Sequence, residues 1–188
     1  RQEAIYKKTT ELYPNDFRAY NNLGMMAYAN GDFTTAENYF KQAASKDANA
    51  PEVNTNLGLI ELTKGNVANA ETYLSKSTGA NTANEALGNL YIKQGQYDRA
   101  VQAFGDTKTN SAALAQILAK DYNKAKNTLN AVKNPDAYTD YLMAIVGART
   151  NNASLVSSSI KSAIAKDPSM AEKAANDREF AKYADAIK

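Results

Sequence analysis

An all-helical fold, an α-solenoid of stacked antiparallel helix hairpins with about 11–12 helices, is predicted by three features of the sequence. A phrase recurs: Leu23-Gly24, Gly31, Ala36 and Phe40 return as Leu57-Gly58, Gly65, Ala70 and Leu74, and again as Leu87-Gly88, Gly95, Ala100 and Phe104. The first step is 34 residues at every one of these positions and the second is 30 at every one, and a period of 34 belongs to helix–turn–helix repeats. No segment of the chain reads as a strand.

The recurring residues define the elements in order. Gly24, Gly58 and Gly88 lack a side chain in mid-helix. That costs about 1 kcal/mol against Ala, a cost tolerable where a partner helix approaches closely. Ala36, Ala70 and Ala100 are the small residues expected opposite them, and Phe40, Leu74 and Phe104 are expected between one hairpin and the next. Gly31, Gly65 and Gly95 mark the turns, where a left-handed residue ends the first helix. Asp32 and Asn66 read as N-caps of the second helix, with Gln96 a weaker cap. This register predicts helices over 17–29, 33–46, 51–64, 67–78, 82–94 and 97–105, with loops at 78–81 and 105–110.

The register extends both ways. Tyr6 lies 34 residues before Phe40, and Pro14 lies 34 before Ala48. Residues 2–13 therefore read as the second helix of a preceding hairpin, and with Arg1 in place of an initiator Met the chain is expected to be a piece of a longer array. Downstream, Asp121-Tyr122, Ala125 and Leu129 echo Gln96-Tyr97, Ala100 and Phe104 at a spacing of 25. A further unit has Asn151-Asn152 at the turn, Val156 where Ala is usual, then Ile160, Ala163 and Asp167-Pro168. Helices are expected over 110–119, 122–132, 136–150 and 153–166, followed by one or two closing helices with a polar outer face.

These motifs resemble the tetratricopeptide repeat family, strongly over 17–105 and less so on either side. The resemblance implies a single solenoid domain with a half repeat at 1–16, repeats at 17–50, 51–80, 81–105, 106–136 and 137–169, and capping helices at 170–188. Asn54 and Asn84 stand where the family often has a large aromatic, a role that Tyr20 fills in the first full unit. The resemblance also implies a non-enzymatic scaffold whose first helices line a groove for a protein or peptide. On that reading the outward stripe of each first helix supplies the groove: Arg18, Asn21, Met25 and Tyr28; Thr55, Leu59 and Leu62; Glu85, Asn89, Ile92 and Lys93; and Tyr138, Tyr141 and Ile145. Such a lining is partly apolar and suits an extended peptide or a helix. Tyr28, Leu59, Leu62 and Ile92 also read as core against neighbouring helices. Some family members clamp the carboxyl-terminal tail of chaperones with Lys and Asn. Only Asn56 matches that pattern, and Asn21, Met25, Thr82 and Ala86 depart from it, which argues against such a clamp.

Composition narrows the function classes. The chain has 188 residues, 22 basic and 20 acidic, and neither Cys nor His. Zinc sites of Cys and His, Cys nucleophiles and His general bases are excluded. No metal or other cofactor is expected. Near-balanced charge without a basic, aromatic-rich stripe argues against nucleic acid as the partner. No apolar run of 18 or more residues predicts a membrane span, so no insertion is expected. Asp136 and Asp140, one helical turn apart, read as an N-cap and a solvated residue. Asn152-Ala153-Ser154 fits a glycosylation triplet, but Asn152 reads first as an N-cap. An Asn-, Thr- and Ser-rich surface without Cys favours a bacterial periplasm or envelope over the cytoplasm. The alternative to a binding scaffold is a structural spacer or docking arm within a larger, envelope-associated protein.

Overall fold

Helices alone make up the regular structure of the described residues. The computed structural model describes residues 1–77 and 81–187. Among these it forms α1 (Gln2–Leu12), α2 (Phe17–Ala29), α3 (Phe33–Lys46), α4 (Pro51–Thr63), α5 (Val67–Ser75), α6 (Asn81–Lys93), α7 (Tyr97–Phe104), α8 (Asn110–Leu118), α9 (Tyr122–Asn130), α10 (Ala137–Arg149), α11 (Ala153–Lys166), α12 (Met170–Ala175) and a closing 3-10 helix, Arg178–Tyr183. No strand occurs among the described residues. Thr78, Gly79 and Ala80, at the end of the helix expected over 67–78 and in the loop expected at 78–81, lie outside the described residues. Two units emerge, Arg1–Leu87 and Gly88–Lys188, divided inside α6.

In the first unit the glycine notch is a seat for a large side chain of the same hairpin. A methyl placed on Gly24 would lie 2.5 Å from Phe40 Cδ1, and one on Gly58 would lie 2.7 Å from Leu74 Cγ. The alanines are fully buried as expected, and the Ala70 carbonyl lies 3.4 Å from a methyl on Gly58, but the large residue fills the notch more closely. Phe40 also reaches the next hairpin, in one cluster with Val53, Leu57 and Ile60. Burying each such side chain contributes about 1.5–3 kcal/mol.

The turn geometry follows from Gly31, at φ +79°. Its N–H bonds the Tyr28 carbonyl at 3.0 Å, and the Asp32 N–H reaches back to Ala27 at 2.9 Å, which satisfies the last carbonyls of α2. Asp32 then caps α3 through Thr35 N–H at 3.1 Å. Asn66 holds the N-cap position of α5 as expected, but its side chain makes no cap bond. Its side-chain amide donates instead to Glu61 Oε2 at 2.8 Å, drawn by the charge of a carboxylate at the end of α4.

The second unit repeats the plan with other residues. Gly88 seats Phe104, whose Cε2 would lie 2.5 Å from an added methyl. Beyond it the turn residue is not glycine: Lys120 (φ 67°) and Asn151 (φ 56°) adopt the left-handed conformation. In α10 and α11 the packing is exchanged. Val156 stands where Ala36 and Ala70 stand earlier, and Gly147 faces it, so that a methyl on Gly147 would lie 3.1 Å from Val156 Cγ2. From Gly24 to Phe40, Gly58 to Leu74, Gly88 to Phe104, Ala113 to Leu129 and Ala144 to Ile160 the separation is always the same. The closing segment covers α10 and α11 with Ala174, Phe180 and Tyr183.

Candidate interaction surface

The surface is built on first helices held in place by side-chain bridges. In the first unit α2 and α4 lie side by side. Asn56 Nδ2 donates to Asn21 Oδ1 at 2.9 Å, and Asn21 Nδ2 faces Met25 Sδ at 3.7 Å. Asn21 is only 5% exposed. This pair of amides, one on each helix, satisfies polar groups that burial would otherwise penalise and fixes the spacing of the two helices. Beside it Met25 is 50% exposed, an unusual exposure for a large apolar side chain. Leu59 and Leu62 of α4 are half-buried. Tyr28 is half-buried too, its ring centroid 5.1 Å from that of Phe33 and tilted 60°.

Several residues expected in the lining are placed elsewhere. Asn21 is buried between helices, as just described. Thr55 is buried and its hydroxyl donates to the Pro51 carbonyl at 2.9 Å. Tyr141 is 2% exposed, its ring edge-on to Phe180 with centroids 5.4 Å apart. Its hydroxyl donates to Asp177, and Lys173 Nζ lies 4.7 Å from its ring centre. Burial first, and that bond second, push the Tyr141 phenol well above its ordinary pKa. The three share one register position, three residues before the helix-packing position; there Asn21 meets the next hairpin and Tyr141 the segment after α12.

The other expected residues keep some exposure. Arg18 is exposed and forks onto Asp16, its Nε 3.0 Å from Oδ1. Asp16 caps α2, and the Arg18 guanidinium, with the Arg18 backbone N–H, holds its carboxyl at a pKa of about 2. Glu85 and Ile92 are half-buried, while Asn89 and Lys93 are exposed on α6. Tyr138 is half-buried with Lys173 Nζ 5.8 Å from its ring centre, and burial raises its pKa. Ile145 is half-buried against two core clusters.

Asp136 is the N-cap expected and forms a capping box with Thr139. Asp140 is not simply solvated: it pairs with Lys166 at 2.9 Å and accepts from Ser162 at 2.7 Å, both on the facing helix or its end. Asn152 caps α11 through Leu155 N–H at 3.0 Å. Among the described residues no three His, Cys, Asp or Glu side chains gather as a metal site, and no helix is long and apolar enough to cross a membrane.

Two open clefts escaped the sequence reading. One, of about 830 Å³, lies between the α1–α2 connection and the end of α3, with Leu12, Tyr13, Phe17 and Lys46 on its walls. The other, of about 710 Å³, lies at the corresponding place before α10, between Tyr138, Lys166 and Met170. Their shared position, where a first helix begins beside the end of its own second helix, was available from the register. Their openness was not, because it depends on how far the connecting loops stand off.

Comparison with known proteins accounts for the whole plan. Three tetratricopeptide repeat models match, over residues 5–38, 23–86 and 84–108, which together take in more than half of the chain. The chain belongs to the tetratricopeptide repeat family. Solved structures agree at the level of fold. YrrB, a tetratricopeptide repeat protein with an unusual peptide-binding site, is 18% identical with a TM-score of 0.67, over 87% of this chain and 92% of its own. PilF of Pseudomonas aeruginosa is 14% identical with a TM-score of 0.70, over 97% of this chain and 87% of its own. PilW, a widely conserved type IV pilus biogenesis factor, is 18% identical with a TM-score of 0.65, over 95% and 87%. No curated protein matches in sequence.

Proposed function

We propose that the chain is a non-enzymatic scaffold that holds a peptide or protein segment against its first helices, with the strip formed by α2 and α4 as the primary contact. The observation that carries this reading is Met25, half exposed beside the buried Asn21–Asn56 bridge. An apolar side chain held in water by a rigid, pre-organised support is what an anchor site requires, because little ordering remains to be done on binding. Leu59, Leu62 and Tyr28 extend the strip, and Arg18 supplies a cation at its edge. Asn56 has its amide engaged by Asn21 and is poorly placed for a chaperone-tail clamp. The chain's likeness to a repeat protein with a peptide-binding site is consistent with this role. No turnover is proposed. The bacterial envelope remains the proposed compartment, on the strength of the Asn-, Thr- and Ser-rich surface and the absence of Cys; cell fractionation with an antibody to this chain tests it.

The test of the binding role is a peptide selected from a random display library on the intact protein. Its affinity is expected to fall more than fivefold, over 1 kcal/mol, in the Met25→Ala/Leu59→Ala double variant, with the melting temperature of the protein little changed. Lys41→Ala, on a second helix, is expected to change neither. Loss of stability together with binding would make the two residues core, and unchanged affinity at unchanged stability would remove α2 and α4 from the site.

A further inference from the structure

Most cations of this chain have a partner. Lys7 pairs with Glu3, Lys41 and Lys64 with Glu37, Lys166 with Asp140 and Arg149 with Glu179. Lys46, Lys76, Lys173 and Lys182 lie over tyrosine rings. Lys120, Lys124, Lys126 and Lys133 are different, as are Lys93, Lys108 and Lys161, but these four are grouped around one helix. None has an ion pair, hydrogen-bonding side chain or ring partner among the described residues. Between 107 and 135 the chain carries these four and Lys108 against a single acid, Asp121. Asp121 is turned to the start of α9, where it accepts from Lys124 N–H at 3.2 Å. Of the acids that border the stretch, Asp136 is occupied by the α10 cap and Asn110, and Asp106 lies beside Lys108.

Lys126 lies on the outward face of α9, exposed Lys120 and Lys133 flank the helix ends, and Lys124 is half-buried at its side. Helix α9 buries Ala125, Thr128 and Leu129 against its neighbours and turns Asn123, Lys126, Asn127 and Asn130 outward. Lys120 sits in the turn before it and Lys133 in the loop after it, so the cations are spread along a nine-residue helix of roughly 13 Å. The outward face has no exposed large apolar residue and no exposed aromatic ring. Protein interfaces depend on aromatic and Arg anchors and are poor in Lys, and single-stranded nucleic acid requires stacking platforms. A polyanionic plane requires neither, since unpaired lysines are attracted to it without any pocket.

We propose that the outer face of α9 adsorbs to an anionic phospholipid surface, with Lys120, Lys126 and Lys133 facing headgroup phosphates, Lys124 at their flank and the asparagine amides donating to them. Contact is electrostatic and peripheral, without insertion. It is independent of any peptide held by α2 and α4.

Co-sedimentation of the whole chain with phosphatidylcholine vesicles, with and without phosphatidylglycerol, tests the proposal. Binding is expected only with the anionic lipid and is expected to weaken steeply with salt. Each Lys→Gln change among the four is expected to reduce it about fivefold. The quadruple Lys→Arg variant is expected to retain it, with circular dichroism showing that every variant keeps its helix content. Equal binding by the quadruple Lys→Gln variant would overturn the proposal. So would an equal loss when Lys8, Lys41, Lys76 and Lys161 are changed to Gln instead, or binding to an acidic polypeptide with none to the vesicles.

Discussion

The hairpins α2–α3 and α10–α11 lie 120 residues apart and have identical helix lengths, 13 and 14 residues, yet few of their residues coincide. Gly31 turns the first and Asn151 the second. Gly24 seats Phe40 in the first; in the second, Gly147 makes room for Val156. At one register position Asn21 accepts from Asn56, 35 residues on, and Tyr141 donates to Asp177, 36 residues on. The first of these partners is the following hairpin and the second is the closing segment. A tetratricopeptide hairpin is thus specified by complementary volumes and a left-handed turn residue more than by particular side chains. The segment 170–183 thus makes against α10 a contact at the register position where α4 meets α2.

Removing Phe180 from α10 and α11 is the strongest way to break this equivalence. Phe180 is among the most deeply buried side chains, and Phe180→Ala is expected to cost about 3–5 kcal/mol. Hydrogen exchange should show the loss in α10 and α11 with α2 and α3 unaffected, because stability in repeat proteins is largely a nearest-neighbour quantity. Uniform loosening of both hairpins would contradict this. Next comes the notch. Gly24→Ala improves helix propensity by about 1 kcal/mol, but its methyl meets a buried ring, so a net destabilisation of about 1–3 kcal/mol is expected in chemical denaturation.

The exchanged packing of the second hairpin yields a sharper test. Gly147→Ala should overpack Val156, and Val156→Ala should leave a void. Val156→Ala removes the Cγ2 contact but leaves Val156 N at 3.0 Å and Leu155 Cβ at 3.2 Å from the new methyl, so the two changes are expected to couple favourably but by no more than about 0.5–1 kcal/mol in a double-mutant cycle. Simple additivity would show that the two sites do not compensate one another. The smallest effect concerns the turns. Lys120→Gly relieves a lysine held at positive φ and is expected to raise stability by up to about 1 kcal/mol, whereas Asn151→Gly should gain less because Asn tolerates that region better.

Much of this architecture was legible in the chain because the signals are local. Helix positions, the Gly31 turn and the Asp32, Asp136 and Asn152 caps follow from spacing and from side chains that bond within one turn. The candidate surface was less legible. Periodicity marks Asn21, Thr55 and Tyr141 as outward from the hairpin's own packing face, but for Asn21 and Tyr141 the contact with solvent is taken by a neighbour some 35 residues away. Asn66 keeps the N-cap position without its cap bond for a related reason: Glu61, which takes its amide, lies across the turn. Val156 looked like a departure from the pattern until Gly147, outside the recurring phrase, was seen opposite it.

The constant separation of notch and ring across each turn has one more consequence. Between successive turn residues, Gly31, Gly65, Gly95, Lys120 and Asn151, the chain varies from 34 residues down to 25. All of that variation falls after the second helix has delivered its large side chain, and none falls across the turn. The hairpin tip is therefore intolerant of insertion, since one added residue would rotate the ring away from its seat. The opposite end is permissive. A tag or a fluorophore-bearing loop inserted between α3 and α4, or between α7 and α8, should leave the hairpins intact, whereas the same insertion between α2 and α3 should unseat Phe40.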